Sequence, residues 1–319
     1  MKLNIVRHIV QCLVIALFLS PLWVEAFLGT KPGEWFFFGT LSSSTFFGAV
    51  VLVDPFAALE SIAASWQLPT APLLIGSLTI LVVYVLVRGR VFCGWACPVN
   101  LILEVVEFLA QPLRSWTRRH GQAEEAFGHR LNRHTKVVVA AGVLVLSALC
   151  GIPVFELVSP VEALFRWLVL GASVGVWTLL ALVVLEAFFP GRLWCRKLCP
   201  LGGFYEAVGR LGLLSVTIQE GCISCDACKD ACLADPGILD PVISGADKVV
   251  RSGDCMLCGK CVKACPKGLL KVRPCLPSPR PSGFSSSPAS PARKAKDNPP
   301  EGVPASSGQT HPAGMAKPS

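Results

Sequence analysis

Residues 222–232 read CISCDACKDAC and residues 255–266 read CMLCGKCVKACP. Both are C-x2-C-x2-C-x3-C, and Pro266 closes the second. Three thiolates at a spacing of three wrap a loop around one corner of an iron–sulfur cubane. The remaining iron is left for a fourth thiolate, which in two-cluster ferredoxins comes from the other run. The spacing therefore predicts two [4Fe-4S] clusters. Cys222, Cys225, Cys228 and Cys265 would hold one, and Cys255, Cys258, Cys261 and Cys232 the other. Leu233 stands where a proline usually follows the first run, which removes a backbone restraint but no ligand. A zinc ribbon is the competing reading; it needs two C-x2-C pairs and leaves the other cysteines unexplained.

The rest of the chain is different in kind. Of 319 residues, 52% are hydrophobic and 16% charged, and the mean hydropathy is +0.57. Soluble domains are about a quarter charged, so the deficit implies segments that face lipid. A spanning helix takes roughly 20 predominantly apolar residues, and residues 9–29, 71–87, 137–155 and 167–189 qualify. Residues 35–53 are also uncharged, but Gly39, Thr40 and the serines at 42–44 make them an interfacial or re-entrant segment.

Lys and Arg number 2 in the N-terminal tail, 1 in residues 30–70, 8 in residues 88–136, 1 between the third and fourth spans and 17 from Arg192 onward. Cytoplasmic loops concentrate these residues. The alternation predicts four membrane crossings, with both termini and the cysteine-rich module in the cytoplasm. A fifth crossing at 35–53 would put the most basic loop outside. Lys2 and Arg7 also resemble the start of a secretory signal, but the apolar run exceeds the roughly 7–15 residues of a signal core, and an uncleaved anchor is expected. The fold class is thus an all-α membrane protein with four transmembrane helices plus a C-terminal two-[4Fe-4S] module of bacterial-ferredoxin type. Residues 1–200 form the membrane domain, 201–275 the ferredoxin module, and 276–319, with ten Pro, a disordered tail.

A second constellation is Cys93-Gly-Trp-Ala-Cys97-Pro98 with Cys195-Arg-Lys-Leu-Cys199-Pro200. Each C-x3-C-P follows a basic membrane exit, at Arg88/Arg90 and at Arg192, so both belong to the same face. If helical, the two thiols of a pair share one side, and the four together make a soft-metal site. A redox dithiol or a plain structural turn stands as the alternative. No His lies in a span, no C-x-x-C-H occurs, and no nucleotide-binding glycine loop is present, so haem, flavin and nucleotide are not expected. The net charge of +8 is spread over loops, which gives no nucleic-acid footprint. Clusters at one membrane face suit exchange with a lipid-soluble quinol. Its oxidation needs an apolar slot and a proton acceptor. Glu186, inside the fourth span, is the candidate acceptor; an ion pair with Arg192 explains it equally. The aromatic residues Trp35, Phe36, Phe37, Phe38, Phe46 and Phe47 suit an interfacial belt or a quinol entrance.

The order of four spans, RVFCGWACPVN after the second, LWCRKLCPLGGFY after the fourth and the two C-terminal cysteine runs resemble the NapH-type family. These are membrane ferredoxin-type subunits of the quinol dehydrogenase that feeds periplasmic nitrate reductase. The resemblance covers roughly residues 5–272. It implies a bacterial inner-membrane protein, quinol oxidation jointly with a NapG-like periplasmic iron–sulfur protein and electrons bound for a downstream reductase. MauN, of methylamine utilisation, is similar in plan. A rival reading of another class is a non-catalytic iron–sulfur assembly or scaffold factor. The charge count puts the clusters in the cytoplasm, whereas the implied acceptor is periplasmic.

Overall fold

Each apolar stretch forms a helix, but two of the four break where hydropathy alone runs on. The computed structural model describes residues 2–29, 37–117, 134–170, 174–188 and 192–275. All fall within one unit, Met1–Ser278; the expected disordered tail lies outside the described residues.

Helix α1 (Lys2–Leu28) begins ahead of its apolar run and so takes Arg7 into its first turns. It leads to three short strands, β1 (Phe37–Gly39), β2 (Ser43–Phe46) and β3 (Val50–Val53), paired antiparallel in that order. This corrects the all-α expectation, and the reason is local. Val50, Val51 and Val53 are β-branched and suit a pleated surface, and Phe37, Phe46 and Val50 align across the three strands. Phe47 and Gly48 have φ of 51° and 66°, the geometry of a type I′ hairpin turn. Phe37 is fully buried between Phe18 (centroids 4.9 Å apart) and Phe46 (4.8 Å). Phe38 and Phe47 are exposed, while Trp35 and Phe36 lie outside the described residues.

The sheet leads directly into α2 (Pro55–Ser65). The Asp54 carboxylate caps it, accepting the N–H groups of Phe56 and Ala57, with Pro55 in the first turn. Beyond it, Trp66 donates its indole N–H to the Ala148 carbonyl at 3.4 Å. The sheet packs on α3 (Ala71–Val87), where Gly76 leaves room for the Val51 carbonyl; a Cβ there would meet it at 1.8 Å.

After α3 come α4 (Val91–Trp95) and α5 (Pro98–Thr117). Helix α6 (Thr135–Cys150) stops at Gly151, whose φ of 69° is left-handed backbone that glycine adopts freely. Phe155, expected at the end of that span, lies instead in α7 (Val154–Val158). Trp167 likewise belongs to α8 (Pro160–Leu170), which packs back against α9 (Val174–Phe188). The fourth apolar stretch is therefore the second arm of a helical hairpin. At 1.5 Å per residue, α3, α6 and α9 are roughly 22–26 Å long, short of the roughly 30 Å hydrocarbon core. By length and composition, α1 alone among the described residues can cross a membrane, through Asn4–Pro21.

The outward faces are nonetheless apolar. Ile9 and Leu13 on α1, Ile75 and Leu78 on α3, Val145 and Leu149 on α6, and Trp177 and Leu180 on α9 are all exposed. Cys12 and Cys150 are exposed among them. Helix α5 is amphipathic with its polar face inward: Glu104 and Glu107 take buried arginines, while Val105, Phe108 and Leu109 point out.

The C-terminal part begins with α10 (Pro200–Val208) and β4 (Leu214–Ile218). Short helices α11 (Ala227–Asp230), α12 (Asp240–Ile243) and α13 (Lys260–Ala264) follow. Strand β5 (Leu270–Pro274) returns to pair antiparallel with β4, from Leu214↔Pro274 to Ile218↔Leu270, and closes the module. Its core is Val216, Ile238, Leu239, Val242, Val250, Met256, Leu257 and Leu270.

Candidate metal centres

The two cysteine runs fold as copies of one another. Ser224 and Leu257, each just before the second cysteine of its run, have φ of 51° and 50°; Asp226 and Gly259, each just after it, have φ of 55° and 72°. Left-handed residues on both sides of the middle cysteine curl each loop tightly and turn successive amides to one side, the arrangement that favours an anionic ligand. Cys222, Cys225, Cys228 and Cys265 line one pocket together with Ile218, Ile223, Ile243 and Leu269. Partial burial raises the Cys265 thiol, but the backbone N–H groups of Leu269, Lys267, Gly268 and Leu270 hold it below its ordinary value. Cys232, Cys255 and Cys261 share one buried cluster, with Cys258 packed against it, near enough to act on one another electrostatically. Burial, with these like-charged neighbours, pushes the Cys232 thiol up to about 12. The eight thiols therefore gather as two groups of four, each made of three from one run and the last cysteine of the other.

Among the described residues, no group of three or more His, Cys, Asp or Glu side chains is placed to hold a single metal ion. A zinc ion at about 2.3 Å from sulfur draws four thiolates tightly together, whereas a cubane spreads them. The donor set, eight thiols in two runs of ferredoxin spacing, fits clusters.

Cys93, Cys97, Cys195 and Cys199 also come together. They line a second pocket with Val99, Asn100, Phe155, Leu201 and Met256. The expected helical i,i+4 pairing is not what aligns them. Cys93 is in α4, and Cys195 is in the single π-helical turn Trp194–Leu198. Cys97 and Cys199 stand just before α5 and α10, where Pro98 and Pro200 take the first helical position. Cys199 Sγ accepts the Gly202 N–H at 3.4 Å. The proline of C-x3-C-P thus starts a helix whose positive end faces the second thiol.

The loop Cys93–Cys97 is wedged against the second ferredoxin run. Gly94 is required there, because a Cβ would lie 2.7 Å from the Met256 carbonyl oxygen. Trp95 donates to the Leu257 carbonyl at 3.2 Å, and Gln11 to the Gly94 carbonyl at 3.1 Å. Arg196 donates to the Cys232 carbonyl at 2.6 Å, so the other loop touches the module as well.

Buried cations surround these sites. Arg88 donates to the carbonyls of Leu214 (2.7 Å), Val250 (2.8 Å) and Ser252 (2.6 Å) and to the Ser215 hydroxyl. Arg90 and Lys136 both bind Asp254; Arg90 also donates to the Cys195 carbonyl at 2.9 Å, and Lys136 lies 3.3 Å from Glu206. Burial raises the Asp254 carboxyl, but Arg90 and Lys136 overcome it and hold the group down to about 2. Arg88 and Arg90, expected from the sequence as a basic membrane exit, are internal ties rather than exposed charges.

Glu186 is 3% exposed and accepts the Trp194 N–H at 2.7 Å, where the π turn starts. Arg192 is held by Glu107 at 2.9 Å and Asn100 at 2.7 Å. The sequence reading missed a set of inward acids. The Tyr205 hydroxyl donates to Asp54, Glu60 accepts the Ser147 hydroxyl (2.8 Å) and the Phe155 N–H (2.5 Å), and Glu162 accepts the Ser42 N–H (3.3 Å). Burial and neighbouring Glu162, Asp54 and Glu60 push Glu156 up to about 8. These acids flank the apolar runs, so hydropathy gave no sign of them. The signal was the pair of acids at Glu156 and Glu162 amid otherwise apolar sequence.

A family described as a 4Fe-4S binding domain matches residues 70–117 and 171–218, and a second of the same description matches residues 248–271. The methylamine utilization ferredoxin-type protein MauN of Methylorubrum extorquens is 34% identical over 83% of this chain and 87% of its own length. The ferredoxin-type protein NapH of Escherichia coli is 33% identical over 84% of this chain and 88% of its own. The NapH of Haemophilus influenzae is 29% identical over 83% and 87%. No solved structure matches the chain. With cysteine runs of ferredoxin spacing and relatives above 30% identity over most of both chains, the chain belongs to the NapH/MauN family of ferredoxin-type iron–sulfur proteins.

Proposed function

We propose that the chain is the membrane-embedded electron-transfer subunit of a quinol dehydrogenase, passing electrons from quinol toward a periplasmic reductase. The observation that carries this reading is the grouping of the eight thiols into two crossed sets of four against a body whose outward helix faces are apolar. Cys222, Cys225, Cys228 and Cys265 hold one [4Fe-4S] cluster, and Cys255, Cys258, Cys261 and Cys232 the other. When bound, the clusters supply one-electron carriers.

Residues 1–200 are the membrane domain, with four crossings through α1, α3, α6 and α9. Residues 201–275 are the ferredoxin module, and it faces the cytoplasm with both termini. Helices shorter than the hydrocarbon core are accommodated by local thinning of the bilayer, at a modest cost. Exposed Leu149, Leu78 and Trp177 support lipid contact. Helix α5 supports an interfacial position, since its outward face is apolar and its inward face charged.

Glu186 takes the proton of quinol oxidation. It is buried beside the Cys195 loop, and Glu186→Gln tests the role cleanly: the amide oxygen still accepts the Trp194 N–H, but no base remains. By family resemblance the partner is a NapG-like periplasmic iron–sulfur protein and the terminal acceptor a nitrate reductase. The similarity to MauN favours a methylamine utilisation system as the second reading. Adding a short-chain quinol to purified protein, anaerobically, and recording EPR tests the proposal. Reduced-cluster signals are expected, and full occupancy of both clusters with no reduction overturns it in favour of an assembly role.

A further inference from the structure

We propose that Cys93, Cys97, Cys195 and Cys199 hold a third [4Fe-4S] cluster, in one-electron contact with the cluster of Cys232, Cys255, Cys258 and Cys261. The cluster itself rests on no assumption about quinol; only the direction of the electron rests on the function proposed above. The two stretches matched by the 4Fe-4S binding domain family carry two of these cysteines each, half of what a cubane needs. The fold joins the halves in one pocket.

Three features beyond the thiols point to an occupant rich in acceptors. Asn100 lines the pocket and is 2% exposed; its carbonyl oxygen takes Arg192 at 2.7 Å, but its amide nitrogen has no partner. A buried amide donor without an acceptor is costly, and cluster sulfides and thiolates accept such bonds. Arg90, fully buried in the pocket wall, has its Nε unpartnered too, which offers positive charge to an anionic occupant. Cys97 and Cys199 face the starts of α5 and α10, and Cys199 Sγ already accepts the Gly202 N–H.

Met256 makes the contact with the neighbouring cluster. It walls the pocket and lies between Cys255 and Cys258, with Gly94 packed on its backbone. An electron passing between the sites oxidises one cluster by one unit and reduces the other by one; no bond forms or breaks. A quinol would deliver its two electrons in succession and release two protons.

Iron and sulfide analysis of the full-length chain, purified anaerobically, tests the proposal. About 12 irons per chain are expected, falling to about 8 in Cys93→Ser/Cys97→Ser and in Cys195→Ser/Cys199→Ser, with both ferredoxin EPR signals kept. Asn100→Leu should keep the iron and shift the potential of one cluster signal only. About 8 irons in the wild type overturns the proposal, as does an unchanged iron count in both double variants or the loss of one zinc instead of iron. Should the double variants lose every cluster, Asn100→Leu decides: unchanged potentials overturn it. A quinol that reduces nothing in protein holding about 12 irons would defeat the proposed function and leave the third cluster standing.

Discussion

Asp254→Asn removes one of two anions at the centre of a buried group of charges. Arg90 and Lys136 both bind this carboxylate, the Asp235 N–H reaches it at 3.3 Å, and Lys136 also faces Glu206 at 3.3 Å. Arg90, Lys136, Asp254 and Glu206 are each no more than 2% exposed. Two cations therefore balance two anions out of contact with water, and the variant leaves two cations against Glu206. Removing one partner from a buried pair costs about 3–5 kcal/mol, a large part of the typical total of about 5–15 kcal/mol. At about 1.4 kcal/mol per decade, the unfolded population rises roughly 100- to 4,000-fold. Lys136→Met added to Asp254→Asn restores neutrality, so the double variant should recover at least ~1 kcal/mol relative to the sum of the singles. Urea denaturation in detergent, followed by cluster absorbance, measures both quantities. A cost within ~0.5 kcal/mol for Asp254→Asn, or strict additivity, refutes the reasoning.

Cys232→Ala should deplete the cluster of Cys255, Cys258 and Cys261, and Cys265→Ala that of Cys222, Cys225 and Cys228, as read by EPR; loss of the sequence-local cluster in each case would sink the crossed ligation. Arg88→Met removes four hydrogen bonds at the foot of β4 and should expose the segment around Gly212 to limited proteolysis, whereas an unchanged digestion pattern excludes that clasp. A reporter fused after Lys271 should behave as cytoplasmic and one inserted after Gln67 as periplasmic; the reverse assignment defeats the four-span topology. Glu156, raised to about 8 in the fold from an ordinary value near 4.3, binds a proton that the unfolded chain gives up. Stability should therefore decline as pH rises between those values. Glu156→Gln should flatten that decline, and an unaltered slope would count against a buried acid.

The two cysteine runs were legible because spacing is a local property: three thiols at a spacing of three fold onto one curled loop, as the left-handed residues beside Cys225 and Cys258 show. The apolar helices were legible for the same reason, since composition alone sets them. Their ends were not. Gly151 stops α6 inside an unbroken apolar run, and hydropathy cannot see a left-handed residue. The strands at 37–53 were missed because β-branched valines and phenylalanines are as hydrophobic in a strand as in a membrane helix, and only the Phe47–Gly48 turn betrays the hairpin. Arg88, Arg90 and Arg192 were counted as loop charges. Their partners, Ser215, Asp254 and Glu107, are distant in sequence, so only the fold could reveal that they are internal.

The inverted polarity of α5 bears on how the chain is made. Glu104 on its inner face meets Arg7 from the first turns of α1 at 2.6 Å, Arg192 at 3.8 Å and Lys260, between Cys258 and Cys261, at 3.5 Å. During synthesis the first of these partners is present early, the second only after α9 has emerged, and the last only when the second cysteine run has been translated. Until the second arrives Glu104 has Arg7 alone of these three cations, and the charged face of α5 is incomplete. Lys260 reaches Glu104 from the first position of α13, inside the second cysteine run. The inner face of α5 is therefore finished by the last-made part of the fold, and a chain cut short before Lys260 would leave Glu104 one cation short.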